Sequence, residues 1–220
     1  MIRNLLALVG VLALVAGGYM AAVMPGMMQL MPAMLSPGMQ PIVAVINKDA
    51  AGLMAAGGNL APGAAEETAT MLGRWIESKG EIGYTTVWER KAAPGVTLDD
   101  IKAALESVAT DRNIKAVGDL PLSDELNARG IKSGVIYISS YCNPETARKM
   151  IDFAPSMAAY LPCRIVVVEK PDGLWVSTLN MDMMLKMGQN MKDHPELLKA
   201  ATAVRDTMWE MVERGAKGEI

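Results

Sequence analysis

One stretch near the middle of the chain constrains the fold most, because it contains two strand-like runs separated by a helical run. It covers residues 139–169, and the only two cysteines of the sequence lie in it, Cys142 at the end of the first strand and Cys163 at the start of the second. Asn143 is a favourable helix cap and Pro144 suits the first position of a helix. The sequence therefore predicts a strand–helix–strand unit with a cysteine at the end of each strand.

Hydrophobic periodicity predicts the elements around this unit. Alternating apolar and β-branched residues predict strands, and apolar residues at three- and four-residue spacing predict amphipathic helices. Thr97 followed by Asp100 is typical of a capping box. The turn residues 170–173 predict that the following strand returns antiparallel to the preceding one. The predicted strands are 84–89, 134–141, 163–169 and 174–179, and the predicted helices are 66–79, 98–110, 123–129, 144–154, 181–187 and one that starts near 195.

The first 24 residues predict a membrane anchor. No charged residue lies between Arg3 and Lys48, and residues 5–24 are all Leu, Val, Ala, Gly, Tyr or Met. As a helix they extend about 30 Å, which matches the hydrocarbon core of a bilayer. Arg3 is the only flanking charge, so the positive-inside tendency predicts a single pass through a bacterial inner membrane, with the N-terminus cytoplasmic and the domain periplasmic. A cleaved signal peptide is the alternative, because small residues at 16–18 and 21–22 resemble cleavage sites.

Two residue patterns in the N-terminal region predict contacts, one with other membrane helices and one with the bilayer or a partner. Small residues repeat every four positions along the anchor, a stripe that lets membrane helices approach closely. Methionines then line one face of a short predicted helix. We interpret this Met face as an adaptable apolar surface at the bilayer or against a partner, and a thioether site for Cu(I) is the alternative. The stripe consists of Ala13, Gly17 and Ala21, and the Met face of Met24, Met27, Met28, Met31 and Met34.

Composition divides the chain into four segments. The anchor at 1–24 is followed by a collar or linker at 25–66, which is rich first in Met and then in Ala and Gly. The folded domain is predicted at 67–187. Residues 188–220 form a C-terminal helix whose apolar residues repeat at four- and three-residue spacing, but only over two repeats. This helix is therefore expected to pack on the domain or on a second copy of the chain.

The central stretch resembles the bacterial domain of unknown function 302 family. Members of that family carry a similar Cys-Asn-Pro after one strand and a Leu-Pro-Cys before the next, here residues 142–144 and 161–163, followed by the strand at 166–169. The resemblance covers about residues 82–187, and the anchor, the collar and the last helix lie outside the family pattern. It implies a small α+β domain with a mainly antiparallel sheet and packed helices, often dimeric, here preceded by the one predicted transmembrane helix. The family has no established activity.

Three interpretations of the cysteine pair are open. Cysteines at corresponding strand ends in an oxidising compartment favour a structural disulfide, or else two buried thiols. The second interpretation is a redox or sulfur-carrying dithiol, which requires a lowered thiol pKa, and Arg148 and Arg164 are the nearest basic residues in sequence. The third is a copper or haem site. Its candidate ligands are Cys142, Cys163, Met150, Met181 and Met184.

Charge and motifs limit the function classes. A net charge of −3 argues against nucleic acid. The sequence contains no Gly-rich phosphate loop, no HExxH pair and no Gly-x-Ser-x-Gly elbow, so an enzyme is not favoured and no catalytic residue is assigned. We favour an accessory or interaction subunit of a membrane complex of the respiratory or sulfur-oxidising type. The expected partners are the lipid bilayer and other membrane-protein subunits or a second copy of the chain. The alternative is a thiol-redox, sulfur-carrying or metal-handling protein that uses Cys142 and Cys163.

Overall fold

The computed structural model describes residues 40–187 and 191–220, together with residues 18, 24–26, 28 and 37. The chain divides into two compact units, and the boundary lies between Gly58 and Asn59. In the first unit the structure describes two consecutive helices, α1 (Gln40–Lys48) and α2 (Ala50–Gly58). Helix α2 lies where composition predicted a linker, because its alanines, leucine and methionine are strong helix formers despite the neighbouring glycines.

The predicted anchor and its small-residue stripe lie outside the described residues, as do Met27, Met31 and Met34 of the Met face. Met24 and Met28 are described, and both side chains are exposed. Within the part of the chain that the structure describes, no helix has both the length and the apolar character that crossing a membrane requires. The anchor and the Met face therefore stay predictions.

The second unit is an α+β domain with one five-stranded sheet. Helices cover it, together with one short 3-10 helix. Its strands are β1 (Val87–Lys91), β2 (Lys115–Leu120), β3 (Ile136–Cys142), β4 (Cys163–Lys170) and β5 (Gly173–Leu179). Its helices are α3 (Ala64–Glu77), α4 (Ile82–Thr86), α5 (Leu98–Asp111), α6 (Leu122–Ala128), α7 (Pro144–Phe153), the 3-10 helix (Pro155–Tyr160), α8 (Met181–Lys186) and α9 (Pro195–Lys217).

The sheet is antiparallel throughout, in the order β1-β5-β4-β3-β2. The tight turn between β4 and β5 pairs Lys170 with Gly173, as the turn residues predicted. Strand β3 lies between β4 and the edge strand β2, so both strands of the cysteine-containing unit are interior and adjacent. The mainly antiparallel α+β fold is therefore confirmed.

One face of the sheet forms the core with helices α5 and α9. Side chains alternate along β3 and β4, and those on this face are almost completely buried. Helix α9, the predicted C-terminal helix, packs on the same face, as its apolar spacing indicated. The main contributors are Tyr137, Tyr141, Ile165, Val167 and Val176 from the sheet, Ile101, Leu105 and Val108 from α5, and Met208, Met211 and Val212 from α9.

Two elements differ from the prediction. Residues 82–86 form helix α4, although the first strand was predicted at 84–89 from β-branched and aromatic composition, and that strand begins only at Val87. The Glu81 carboxylate accepts from the Tyr84 N–H at 3.1 Å, and the Thr85 hydroxyl donates to the Glu81 carbonyl at 3.0 Å, so local bonds favour the helix. Strand β2 was missed because its Gly, Asp and Lys are poor strand formers. Pairing with β3 forms it nevertheless, with an irregularity between Ala116 and Gly118.

Candidate functional site: a sulfur-lined cavity at the end of the sheet

A cavity of about 210 Å³ lies where β3 ends and β4 begins. Both cysteines line it, Cys142 as the last residue of β3 and Cys163 as the first residue of β4. Both side chains are half-buried, and neither cysteine is in a disulfide. The strand register pairs Cys163 with Tyr141, so Cys142 lies one residue beyond the paired position. The two cysteines therefore lie on adjacent strands at the same end of the sheet.

Methionines complete the sulfur lining. Helix α7 contributes Met150, and helix α8 contributes Met181 and Met184. All five residues that the sequence offered as ligand candidates thus line one cavity, and the 3-10 helix adds Met157, which the sequence analysis did not single out. We call this site the sulfur cavity. It is defined by Cys142, Cys163, Met150, Met157, Met181 and Met184.

Local sequence explains how α7 brings Met150 to the cavity. The Asn143 side chain accepts from the Thr146 N–H at 3.0 Å, and Pro144 occupies the first turn, so the helix begins directly after Cys142. Apolar residues at three- and four-residue spacing then turn one side of the helix towards the protein, including Ala147 and Met150. The cysteine and the thioether are therefore placed by one strand–helix junction.

The electrostatics of the cavity keep the Cys163 thiol protonated at neutral pH. Its pKa is raised from 9.0 to about 11, mainly by burial, and the neighbouring Cys142 acts in the same direction. The Arg164 guanidinium acts in the opposite direction but does not outweigh burial. A redox or sulfur-carrying dithiol requires a lowered thiol pKa, so the pKa of Cys163 is shifted away from the value that such chemistry uses.

The rest of the lining is mainly apolar. Arg164 is the only charged residue among the described residues that border the cavity. In the described ranges there is also no group of three or more His, Cys, Asp or Glu side chains able to hold a metal ion. The donors that this cavity offers to a ligand are therefore thiols and thioethers rather than imidazoles or carboxylates.

Comparison with known proteins gives the family of the chain. The family model described as "Domain of unknown function DUF302" matches residues 90–215, more than half of the sequence. The chain belongs to the DUF302 family. A solved structure titled "Crystal structure of uncharacterized conserved protein DUF302 from Bacillus stearothermophilus" is similar with 16% sequence identity and a TM-score of 0.47, covering 58% of this chain and 96% of that chain. No curated protein matches.

The DUF302 match corrects one expectation about the chain. The last helix was expected to lie outside the family pattern, but the match reaches residue 215 and thus includes most of α9. The physical reason is that α9 supplies a large part of the domain core. The match also contains every described residue of the sulfur-cavity lining except Val87, whereas helix α3 precedes it.

A second, larger cleft of about 820 Å³ adjoins the sulfur cavity in this DUF302 domain. We call it the tyrosine cleft, defined by Tyr137, Ser139 and Tyr141 of β3 and Asp119 of β2. The Ser139 hydroxyl donates to the Asp119 carboxylate at 2.6 Å. Burial raises the pKa of both tyrosines, and Asp119 raises both further. This cleft was not predicted from the sequence, although a serine between two tyrosines on the buried face of β3 was a signal for it.

Proposed function

We propose that the protein binds one Cu(I) ion in the sulfur cavity, with the thiolates of Cys142 and Cys163 as two ligands and a thioether of Met181 or Met184 as the third. The observation that carries this proposal is that both cysteines and four methionines line one small cavity. Soft sulfur ligands select Cu(I) over harder ions.

The size and polarity of the cavity support a single ion over a larger cofactor. Pockets for drug-sized ligands hold about 300–1,000 Å³, whereas the sulfur cavity holds about 210 Å³. Haem is larger than most such ligands, so the cavity favours the copper alternative over the haem alternative. The apolar lining also suits a monovalent ion bound by two thiolates, because the group carries only one net negative charge. Arg164 lies beside the cysteines and balances that charge.

The test is an anaerobic Cu(I) titration of the full chain with bicinchoninate as the competing ligand. We expect one tightly bound Cu(I) per chain and only sulfur neighbours by X-ray absorption. The double variant Cys142→Ser with Cys163→Ser should lose the site. Met54→Leu is the matched control, because Met54 is exposed and lies outside the cavity lining. A wild-type chain that binds no Cu(I) would refute the proposal.

The pH dependence of the affinity gives a second test. Cu(I) binds the thiolate, so it must displace the proton of Cys163, whose pKa is about 11. The affinity should therefore rise about tenfold per pH unit for each proton released, up to that pKa. An affinity that does not change between pH 7 and 9 would mean that Cys163 is not a ligand.

We also propose an interaction role, as an accessory subunit of a respiratory or sulfur-oxidising membrane complex. Exposed apolar side chains on α3 and at the start of α4 support it: Leu72, Trp75, Ile76 and Ile82 are 54%, 48%, 63% and 68% exposed. Large exposed apolar groups are typical of surfaces that contact another protein. The partner we expect is a neighbouring membrane-protein subunit rather than a second copy of this chain.

The interaction role is tested by native mass spectrometry of the protein extracted from its own membranes. We expect co-purifying subunits with the wild-type chain and their loss with Trp75→Glu plus Ile76→Glu. Ile131→Glu is the control, because Ile131 is an exposed apolar residue on another part of the domain. Subunits retained by the double variant would exclude this face as the contact.

The proposed location follows from the sequence of residues 1–24. We propose that they form a single-pass anchor in a bacterial inner membrane and place the domain in the periplasm, because twenty uncharged residues follow Arg3 and its neighbour Asn4. Alkaline phosphatase is active only outside the cytoplasm, so a C-terminal phosphatase fusion should be active. An inactive fusion at normal expression would contradict the periplasmic location.

A further inference from the structure

Helix α8 forms the wall of the sulfur cavity that carries two thioethers, Met181 and Met184. The helix has only six residues, and a helix of that length is not stable by its own hydrogen bonds. Contacts from the rest of the domain must therefore hold it where its methionines reach the cavity. Those contacts lie at the residue before the helix and along its side.

Asn180, the residue before α8, makes the hydrogen bonds that hold the start of the helix. It is 2% exposed, and its side chain makes two different bonds. The amide oxygen accepts from the Met183 N–H at 3.2 Å and so caps the helix, while the amide nitrogen donates to the Glu67 carboxylate at 2.7 Å. The Asn180 backbone N–H donates to the Thr86 carbonyl at 2.8 Å. One buried side chain therefore links the start of α8 to helix α3.

Charged side chains continue this link along α8. Lys186 lies 3.0 Å from Asp182 and 3.7 Å from Glu67, between the carboxylates of two helices. Asp182 also faces Arg205 of α9 at 3.6 Å, a separation too long for a hydrogen bond. Glu67 is itself 9% exposed, so its interactions with Asn180 and Lys186 are shielded from water. The tightest part of the network is the bond between Glu67 and Asn180.

We infer that Glu67 and Asn180 are positioning residues for the Cu(I) site, and that they set its affinity by holding the thioethers of α8 against the two thiolates. The inference rests on the proposed function. It assigns a role to helix α3, which precedes the DUF302 match. Groups that hold metal ligands in place typically change metal affinity by about 10–100-fold when they are removed.

The test uses Asn180→Asp in the full chain. Aspartate retains an oxygen that caps α8 through the Met183 N–H, but it replaces the donor that faces Glu67 with a second carboxylate oxygen. We expect the Cu(I) affinity to fall about 10–100-fold and the number of sulfur neighbours in X-ray absorption to fall from three to two. Adding Glu67→Gln supplies a donor on the other side, so the double variant should recover the wild-type affinity.

The controls separate positioning from general stability. Glu213→Gln removes an ion pair with Arg90 at 2.7 Å that lies outside the cavity lining, and it should leave the affinity unchanged. Glu67→Ala removes the acceptor without adding charge, and it provides the same test if Asn180→Asp does not fold. Thermal unfolding of the metal-free proteins shows which variants are folded.

The outcomes are distinguishable. A wild-type chain without Cu(I) refutes the proposed function itself. Wild-type binding with unchanged affinity and unchanged sulfur count in a folded Asn180→Asp or Glu67→Ala variant overturns only the positioning role. A loss that Glu67→Gln does not restore also overturns it, because the effect would then not pass through the bond between these two residues.

Discussion

The two cavities share Ile114 and Asn143 in their linings, but they differ in what surrounds their buried groups. In the tyrosine cleft the carboxylate of Asp119 accepts from Ser139 and lies near Tyr137. In the sulfur cavity the half-buried thiol of Cys163 has another thiol as the neighbour with the strongest influence on its pKa. Burial is the largest cause of a raised pKa in both places, so the difference lies in the partners.

The difference in partners indicates which of the two cavities has groups left to bind a ligand, and which chemical class of ligand those groups favour. The tyrosine cleft already contains hydrogen-bond donors and acceptors for its own polar groups, and these stabilise the closed network. The sulfur cavity instead gathers six soft donors inside an apolar wall. Thiols and thioethers are weak hydrogen-bonding groups, so they do not satisfy one another as Ser139 and Asp119 do. In the proposed function, a soft metal ion provides the binding partner that these thiols and thioethers lack.

The largest effect is expected from a substitution that removes a ligand from the sulfur cavity and leaves the tyrosine cleft unchanged. We expect Cys163→Ser to weaken Cu(I) binding by more than about 100-fold, because a lost ligand costs more than a lost supporting contact. Ser139→Ala, which changes the tyrosine cleft only, should leave the Cu(I) affinity unchanged. Competition titrations of both variants with bicinchoninate measure the contrast. Equal losses in the two variants would mean that the cavities are not independent.

The next effect concerns the free energy of unfolding at high pH. The pKa of Cys163 is about 11 in the folded chain and 9.0 is the ordinary value, so folding favours the protonated thiol. This contribution is complete below pH 9 and is lost as the pH rises to about 11. Each pKa unit corresponds to about 1.4 kcal/mol, so the loss is on the order of 2–3 kcal/mol.

Urea unfolding of the wild type and of Cys163→Ser between pH 7 and 10.5 measures this contribution. Serine does not titrate in that range, so the stability of the wild type relative to the variant should fall as the pH rises. Titration of the tyrosines affects both proteins and cancels in the difference. A difference that stays constant over this range would show that the thiol is not buried as the structure has it.

Short-range sequence signals predicted the parts of this site that local structure controls. Asn143 and Pro144 fixed the start of α7, and Met150 followed from its helical spacing. The hydrogen bond that holds α8 in place was less accessible, since Asn180 and Glu67 are 113 residues apart and no local pattern links them. Strand β2 was missed for a related reason, because its pairing with β3 rather than its own composition determines it. Long-range pairing therefore accounts for most of what the sequence did not reveal.

A smaller effect tests the network of the tyrosine cleft. Ser139→Ala removes the donor to Asp119 at 2.6 Å. We expect it to lower the free energy of unfolding by about 1 kcal/mol, because Asp119 lies on an exposed strand and water replaces the lost donor. Urea unfolding at pH 7 measures it. A cost above about 3 kcal/mol would mean that water does not replace the lost donor, and hence that the cleft excludes water.

The smallest effect comes from Lys102, whose ammonium lies 5.2 Å from the centre of the Tyr137 ring at the edge of the same cleft. Its side chain is 45% exposed, so the cation–π contact is largely solvated and is worth only about 0.5–1 kcal/mol. Lys102→Met should lower the free energy of unfolding by that amount. In a chain that already carries Tyr137→Leu the ring is absent, so Lys102→Met should lower the free energy of unfolding by less. Non-additivity in this double-mutant cycle is the measurement. If the two changes are additive, the ring does not stabilise the ammonium. The polar interactions of the cleft are then those of Asp119 and its two hydroxyl neighbours, without a contribution from Lys102.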